Sequence, residues 1–588
     1  MKNLNRRQFM TLGGGAVAAS FAVRHHSAHA FSLFSQPAQR PPQPNNRSID
    51  VEAAASVFPL SVASGDPCDS GVMLWTRIEP SRYQPGDSAL VEVYEDANMT
   101  SLTLVLEVDA AEFGPEGDYT LKVDLQGYLS AERAYYYRFV YAGVSSRLGR
   151  CRTSAPRGVD SDAVKLAVLT CQDYTNGYYG ALDHVADDDS LDFVVHLGDF
   201  IYESVGDPRF QELPFEDRLI QLPSGGVVAM NLNDYRHLYQ SYRSDRSLQR
   251  AMENHTWIIA TDDHETANDA YWDYDRDTLG VPDHPYSTDE QYGNDPARLT
   301  QLKLDSQRAW LEYTPTRVSV NPEASHPHQY SRIYREFYFG DLLSLYMTDS
   351  RSYRSPHPCG EGDALQRYVP LGCTNMDNAD RTMLGQTQKR WLIDGLTAND
   401  TRWKVMGNQT YMGRMAATLL GKPLALINVD AWDGYQAERQ QIVEAVKGAD
   451  VDNFVVLTGD LHSYISSYVK LDYSKSLNLR SSNLVGVEFM TPSVTSAGIV
   501  DGLANLLNRE LKRADIVDAL SEAAMIINNP HMKLFNSKDH GYSTIEFQRS
   551  HCEWTAYCVD KNHREGARTT LARHRKYSGF PWIFRQSV

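Results

Sequence analysis

Five side chains able to bind a metal ion, Cys171, Asp199, Asp263, Asn408 and Asp460, each stand just past a short apolar run. Tyr202 follows Asp199 by three residues and His462 follows Asp460 by two. A Gly-Asp pair after an apolar run is by itself a common turn; its recurrence beside other donors points to a metal centre. The donors sort by chemistry. Cys171 and Tyr202 are polarizable anionic ligands that favour a transition metal, and phenolate favours ferric iron above all. Asp263, Asn408 and Asp460 offer only oxygen, which suits a hard cation such as Ca2+ or Mg2+. Asp199, with two carboxylate oxygens, can bridge both ions, and His462 most naturally completes the iron side. The set favours a mixed centre over a pair of zinc ions, which would draw more histidine.

The runs that carry these donors read as buried strands. Lys165–Thr170 ends in Cys171, Phe193–Leu197 in Gly198-Asp199, Thr256–Thr261 in Asp262-Asp263-His264-Glu265, Trp403–Met406 in Gly407-Asn408, and Phe454–Thr458 in Gly459-Asp460-Leu461-His462. Continuous apolar runs mark parallel strands covered on both faces, and ligands of such sheets bind beyond the strands' carboxyl ends. Helical stretches, among them Thr387–Leu396 and Tyr435–Val446, alternate with the strands, which predicts a layered α/β domain over residues 158–588. Residues 204–232 and 273–298 are rich in Asp, Pro, Gly and Tyr and read as long loops beside the site.

Upstream the texture changes. Val72–Thr76, Tyr119–Val123 and Tyr135–Val140 are short strands separated by turn residues, which predicts a small all-β, immunoglobulin- or fibronectin-like sandwich over residues 51–157. Asp66, in Ser64-Gly65-Asp66-Pro67, reads as a turn aspartate. Residues 31–50 are Pro- and Gln-rich and read as a flexible lead-in. Residues 1–30 read as an export signal: Asn5-Arg6-Arg7-Gln8-Phe9 precedes an apolar run from Thr11 to Val23, and Ala28-His29-Ala30 has the form of a cleavage site. Paired arginines of this kind resemble a twin-arginine signal, so the export machinery is an expected partner and the periplasm or cell exterior the expected location.

Composition narrows the classes. At 588 residues, with 42% hydrophobic and 22% charged residues, the chain has the make-up of a large globular protein. A formal net charge of −18 argues against a polyanion-binding groove, and no stable nucleic-acid or membrane partner is expected. Seven cysteines leave at least one unpaired, and Cys171 is that one if it binds metal. Closeness in sequence suggests bridges Cys359–Cys373 and Cys552–Cys558, leaving Cys68 with Cys151.

The phrases taken together resemble a known family. The order Cys171, Asp199-x-x-Tyr202, Asp263-His264-Glu265, Asn408 and Asp460-x-His462 is similar to the calcineurin-like metallophosphoesterase layout. Within it, Leu169-Thr170-Cys171-Gln172-Asp173-Tyr174, His196-Leu197-Gly198-Asp199-Phe200-Ile201-Tyr202, Asp349-Ser350-Arg351-Ser352-Tyr353-Arg354 and Asn529-Pro530-His531-Met532-Lys533 resemble the alkaline phosphatase D (PhoD-like) family. So does Phe58-Pro59-Leu60-Ser61-Val62-Ala63-Ser64-Gly65-Asp66-Pro67, and the likeness runs to about Phe547.

The resemblance implies a metallophosphoesterase-type β-sandwich flanked by helices, and an exported phosphatase or phosphodiesterase with Fe3+ and Ca2+. Cys171, Asp199 and Tyr202 would hold iron; Asp199, Asp263, Asn408 and Asp460 would hold calcium; His462 or Asp460 would complete the iron site. Purple acid phosphatases place histidines where this chain has Asn408 and Asp460, a departure that supports calcium. His264 would act as general acid or as donor to the phosphoryl oxygens. Arg351 or Arg354 could grip phosphate through a guanidinium fork, and Glu265 and Asn268 would support the ligands. Metal-activated hydroxide would attack phosphorus directly, since no Ser or Thr stands among the strand-end donors. The alternatives are a phosphodiesterase specialised for polymers or phospholipids, and a cell-surface binding protein with purely structural metals.

Overall fold

The computed structural model describes residues 37–41, 49–207, 211, 213–398, 400–419, 422–475, 481–498 and 515–588. The expected export signal and most of the expected lead-in lie outside the described residues.

Two sheets form the centre. Strands β1 (Val62–Cys68), β2 (Gly71–Arg77), β3 (Thr120–Asp124), β4 (Ala163–Leu169), β5 (Phe193–His196) and β6 (Thr256–Ile259) belong to the first. The second takes β7 (Arg335–Phe339), β8 (Leu343–Met347), β9 (Trp403–Gly407), β10 (Phe454–Thr458), β11 (Tyr464–Lys470), β12 (Leu484–Met490) and β13 (Met532–Asn536). The chain then returns to the first sheet as β14 (Gly541–Gln548), β15 (His551–Val559), β16 (Arg568–Tyr577) and β17 (Ile583–Arg585). The first sheet runs β17-β16-β15-β14-β4-β5-β6-β1-β2-β3 and the second β7-β8-β9-β10-β12-β11-β13. Every donor-bearing strand is parallel to its donor-bearing neighbour: β4, β5 and β6 in one sheet, β9 and β10 in the other.

Strand periodicity explains the layers. Leu166 and Val168 of β4, Phe193 and Val195 of β5 and Ile258 of β6 meet Leu343, Val405, Val455 and Val487 in the core between the sheets. One residue out of step, Ala167, Leu169, Val194, Trp257 and Ile259 pack beneath helices. Those helices are α1 (Gly180–Ala186), α2 (Leu232–Arg243), α3 (Arg246–Asn254) and α4 (Pro296–Tyr313). Asn231, Asp245 and Asp295 cap the last three by accepting from first-turn amides. On the far side, α5 (Gly385–Thr397) and α6 (Gln436–Gly448) cover Tyr346, Met406, Phe454 and Val456. Helix α7 (Asp515–Asn528) packs against β13.

The N-terminal strands complicate the boundary near residue 157. Ala89–Tyr94, Leu102–Val108, Ala134–Tyr141 and Gly149–Arg152 form a separate sheet that packs on β1, β2 and β3 through Val62, Val72, Leu74, Leu121 and Val123. But β1 also pairs with β6, so the large sheet continues into this unit. Asp66 is no turn residue. It lies within β1 at a register shift, and its carboxylate binds Arg335 of β7 at 2.7 and 2.8 Å and the Arg317 amide at 2.6 Å.

Two further expectations change. The stretch 273–298 carries a hairpin, Tyr271–Asp273 with Thr278–Gly280, and a short helix Pro285–Thr288, so it is not a bare loop. Cys359 and Cys373 form a disulfide, but Cys68, Cys151, Cys552 and Cys558 are free. Cys552 and Cys558 lie on the one strand β15, where six residues of extended chain separate them by about 20 Å.

Asp66→Ala should leave the half-buried Arg335 guanidinium without its carboxylate, though still on the Ile333 and Ile259 carbonyls, and lower unfolding stability by about 1–3 kcal/mol. Urea denaturation of the two proteins measures it; an unchanged midpoint would contradict this role.

Candidate metal centre

The loops that leave β4, β5 and β6 and those that leave β9 and β10 converge over the same end of the two sheets. The turns are tight. Cys171, Asp199, Asp460 and His462 all have left-handed backbone, with φ of 56°, 55°, 65° and 51°, which costs roughly 1 kcal/mol or more at each. Gly198, at φ 122°, leaves no room for a side chain, since a Cβ would stand 2.5 Å from the Asp262 amide nitrogen. A Cβ on Gly459 would meet Thr170 Oγ1 at 2.5 Å, so this glycine is where the two sheets' loops touch. Glu265 accepts from the amides of Asp199, Phe200 and Asp262 and so clips two of the loops together.

One group gathers the softer donors. Cys171 Sγ donates to Asp199 Oδ2 at 3.3 Å, Tyr202 OH donates to the same oxygen at 3.1 Å, and Tyr202 OH lies 3.3 Å from His462 Nε2. His462 Nδ1 faces the Ala497 carbonyl, which only accepts, so Nδ1 carries the proton and Nε2 presents its lone pair to the group. Burial lowers the His462 pKa to about 4, which keeps the ring neutral. Burial, with Asp199 beside them, pushes the Cys171 thiol and the Tyr202 phenol well above their usual ranges. In this cluster the protons on sulfur and oxygen stand where a cation would replace them.

The second group is all carboxylate. Asp262, Asp263 and Asp460 bring one oxygen each to within 4.8 Å of one another; beside them, an oxygen each of Asp199 and Asp263 and a ring nitrogen of His264 lie equally close together. Asp199 therefore touches both groups, as a bridging ligand must. The sequence left Asp460 and His462 interchangeable as the last iron ligand. The structure separates them, placing His462 with Cys171 and Asp199 and Asp460 with Asp262 and Asp263. Asn408 stands at the end of β9, but its amide donates to the Thr410 carbonyl and its oxygen faces Trp432 Nε1 at 3.4 Å. The oxygen-only set fits a hard cation in kind, and Asp262 stands in it beside Asp263 and Asp460.

A cavity of about 350 Å³ opens over both groups, lined by Asp199, Tyr202, Asp263, His264, Asp460 and His462 among others. His264 Nδ1 lies 2.7 Å from Glu203 Oε2, the other Glu203 oxygen accepts from the Asn268 amide at 2.8 Å, and the Tyr202 ring packs 4.1 Å from the imidazole. Burial works against protonation of His264, yet Glu203, Asp199 and Asp263 together raise its pKa well above the usual value.

A model of PhoD-like phosphatases matches residues 166–556, and one of their N-terminal domain matches residues 43–155. The chain belongs to the PhoD-like phosphatase family. It is a phosphoric ester hydrolase by that membership. Alkaline phosphatase D of Bacillus subtilis (strain 168) is 30% identical over 496 residues, 83% of this chain and 76% of the relative. The solved structure of PhoD aligns over 90% of this chain and 92% of its own, at a TM-score of 0.75 and 26% identity.

Both arginines expected to grip phosphate are turned inward. Arg351 binds Asp262, Asp430 at 2.8 Å and Asp460 at 2.6 Å, with Asp263 at 3.5 Å, so its fork is filled by carboxylates. Arg354 binds Asp430 and Tyr435 and is fully buried. Neither lines the cavity. Asp262, Glu203 and Asp430 went unrecognised in the sequence. Asp262 alone had a signal, its place beside Asp263 at a strand end; Glu203 and Asp430 sit in irregular stretches.

Glu203→Gln should keep the ring in place but remove the charge that holds it, lowering kcat by about 10- to 100-fold with metal content unchanged. Steady-state kinetics with metal analysis checks this; wild-type kcat in the variant would remove Glu203 from the site's machinery.

Proposed function

We propose that this member of the family is an exported alkaline phosphatase or phosphodiesterase, with Fe3+ held by Cys171, Asp199, Tyr202 and His462 and Ca2+ by Asp199, Asp263, Asn408 and Asp460. One observation carries the reading: a soft donor set and an oxygen-only set meet at Asp199, under a cavity with room for a substrate. When bound, such ions supply positive charge that polarises phosphoryl oxygens and acidifies water. The chain's own residues do the rest. Glu203 keeps Nδ1 of His264 engaged, so exchange with a substrate falls to Nε2. There the ring can donate to a phosphoryl oxygen or pass a proton to the departing alcohol. Asn268 and Asn428 add amide groups to the cavity wall. The burial of Asp199 and Asp263 excludes water from the ligands themselves.

The name of the Bacillus subtilis relative supports the same activity. The facing sheets with helices outside support metallophosphoesterase-type layering, and the N-terminal strands an immunoglobulin-like unit. A binding protein with structural metals would be expected to close its site, whereas this one opens to a cavity.

In the metal-replete protein, a calcium-selective chelator should abolish hydrolysis of p-nitrophenyl phosphate and of its bis ester while a visible phenolate or thiolate charge-transfer band persists. Added Ca2+ should restore turnover and Zn2+ should restore little. Full activity with two zinc ions and neither iron nor calcium would overturn the metal assignment.

Export by the twin-arginine route is part of the proposal and rests on Arg6-Arg7 ahead of an apolar run. Replacing the pair by Lys-Lys should leave precursor in the cytoplasm, seen by fractionation and immunoblotting. Undiminished export would point to the general secretory route.

A further inference from the structure

The cavity is lined by side chains of two kinds, a polar floor around the donor groups and an apolar wall. The floor is carboxylate, imidazole and amide. The wall is Val369, Ile427 and Leu461, each partly exposed, beside the ring of Tyr368. A phosphoryl group makes no use of such a wall, and a polar alcohol would leave it wet.

The wall is built and held. Val429 donates its amide to the Tyr368 carbonyl at 3.0 Å, and Ile427 donates to the Met415 carbonyl at 2.8 Å. Ile427 and Leu461 also pack, with Met525 and Ile526 of α7, against a small core of Tyr411, Met415, Ile465 and Met490. The end of α7 is tied in turn to the hairpin of Ala416–Leu419 and Lys422–Leu426, since Asn528 Oδ1 accepts from the Thr418 amide at 3.1 Å. The same segments expose large apolar side chains to solvent: Leu371 at 77%, Leu424 at 65% and Ile527 at 78%. Leu371 and Leu424 thus stand two and three residues from Val369 and Ile427 in the chain, and Ile527 follows Ile526 of α7.

We propose that Val369, Ile427 and Leu461 form a subsite for an apolar organic substituent of the ester, so that the enzyme selects phosphate esters of hydrophobic alcohols. This rests on the phosphate-ester hydrolysis proposed above and adds the class of substrate. Burying each methylene of such a substituent against the wall raises kcat/KM by a constant factor, about twofold to fourfold, until the wall is covered.

The experiment measures kcat/KM for p-nitrophenyl n-alkyl phosphates from methyl to hexyl, with metal-replete full-length protein. p-Nitrophenyl phosphate and its bis ester serve as references. The expected result is a rise with chain length that Ile427→Ser flattens. Because Ile427 also packs on the core, Val369→Ser is the second variant, and it should reduce the same slope. A wild-type kcat/KM that is flat or falls with chain length, with the references hydrolysed, overturns the subsite and leaves the hydrolase reading standing. A wild-type rise that neither variant alters also overturns the assignment to this wall. Failure to hydrolyse any ester, references included, contradicts the hydrolase reading, and the subsite falls with it.

Discussion

Carboxylate crowding governs this structure. Asp262, Asp263, Asp430 and Asp460 all contact the single guanidinium of Arg351, and Asp199 lies beside Asp263. Like charges this close, and this far from water, cannot all persist without compensation. The strain is visible in how the acids divide. Burial pushes Asp199 and Asp460 well above the carboxylate range and Asp262 to about 6; burial opposes ionisation of Asp263 too, but Arg351 and His264 outweigh it and hold that acid low. Arg351, even with Arg354 on Asp430 and His264 beside Asp199 and Asp263, does not balance the set. Cations at the two donor groups would, which is why the chemistry of the site and the stability of its loops are one problem.

The scaffold concentrates charge by separating two tasks. Apolar parallel strands carry the stability, packing on both faces, while the donors ride on the loops beyond their ends. Those loops take unfavourable backbone at four donor residues and are then fastened from behind. Glu265 joins the loop after β5 to the loop after β6, and Glu488 accepts from the Met412 and Gly413 amides and the Thr458 hydroxyl. Buried carboxylates that accept several amides are well suited to this, because each fixes more than one strand end at once. Asp66 does comparable work farther out, linking β1 to β7 and so the N-terminal strands to the second sheet.

Burial also assigns the histidines different parts. His462 is held neutral by burial, and with its Nδ1–H fixed on the Ala497 carbonyl it offers a lone pair to the softer donors. His264 is held by a carboxylate, faces the cavity, and is kept cationic by its neighbours. The two rings thereby titrate in opposite directions, and the difference lies in whether the group behind the ring is a carbonyl or a carboxylate.

The sequence alone determined the strands and what they deliver. A strand buried on both faces must be a run of apolar residues, and a donor at its end is a neighbour in the chain, so Cys171, Asp199, Asp263 and Asp460 were legible from local order. The helices near residues 387–396 and 435–446 were legible for the same reason. Only the tertiary structure decided the pairings. Asp460 and His462 are two residues apart, yet they join different donor groups. Arg351 and Arg354 look like phosphate anchors until the acids that fill them arrive from distant loops. Cys552 and Cys558, close in sequence, are held apart by the extended chain they share, and the sheet's continuation into β1 depends on pairing between residues far apart in the chain, Thr256 with Ser64 and Trp257 with Gly65. Local composition sets which residues form a strand and which donor stands at its end. Which charges meet is set by contacts between segments that no local pattern encodes.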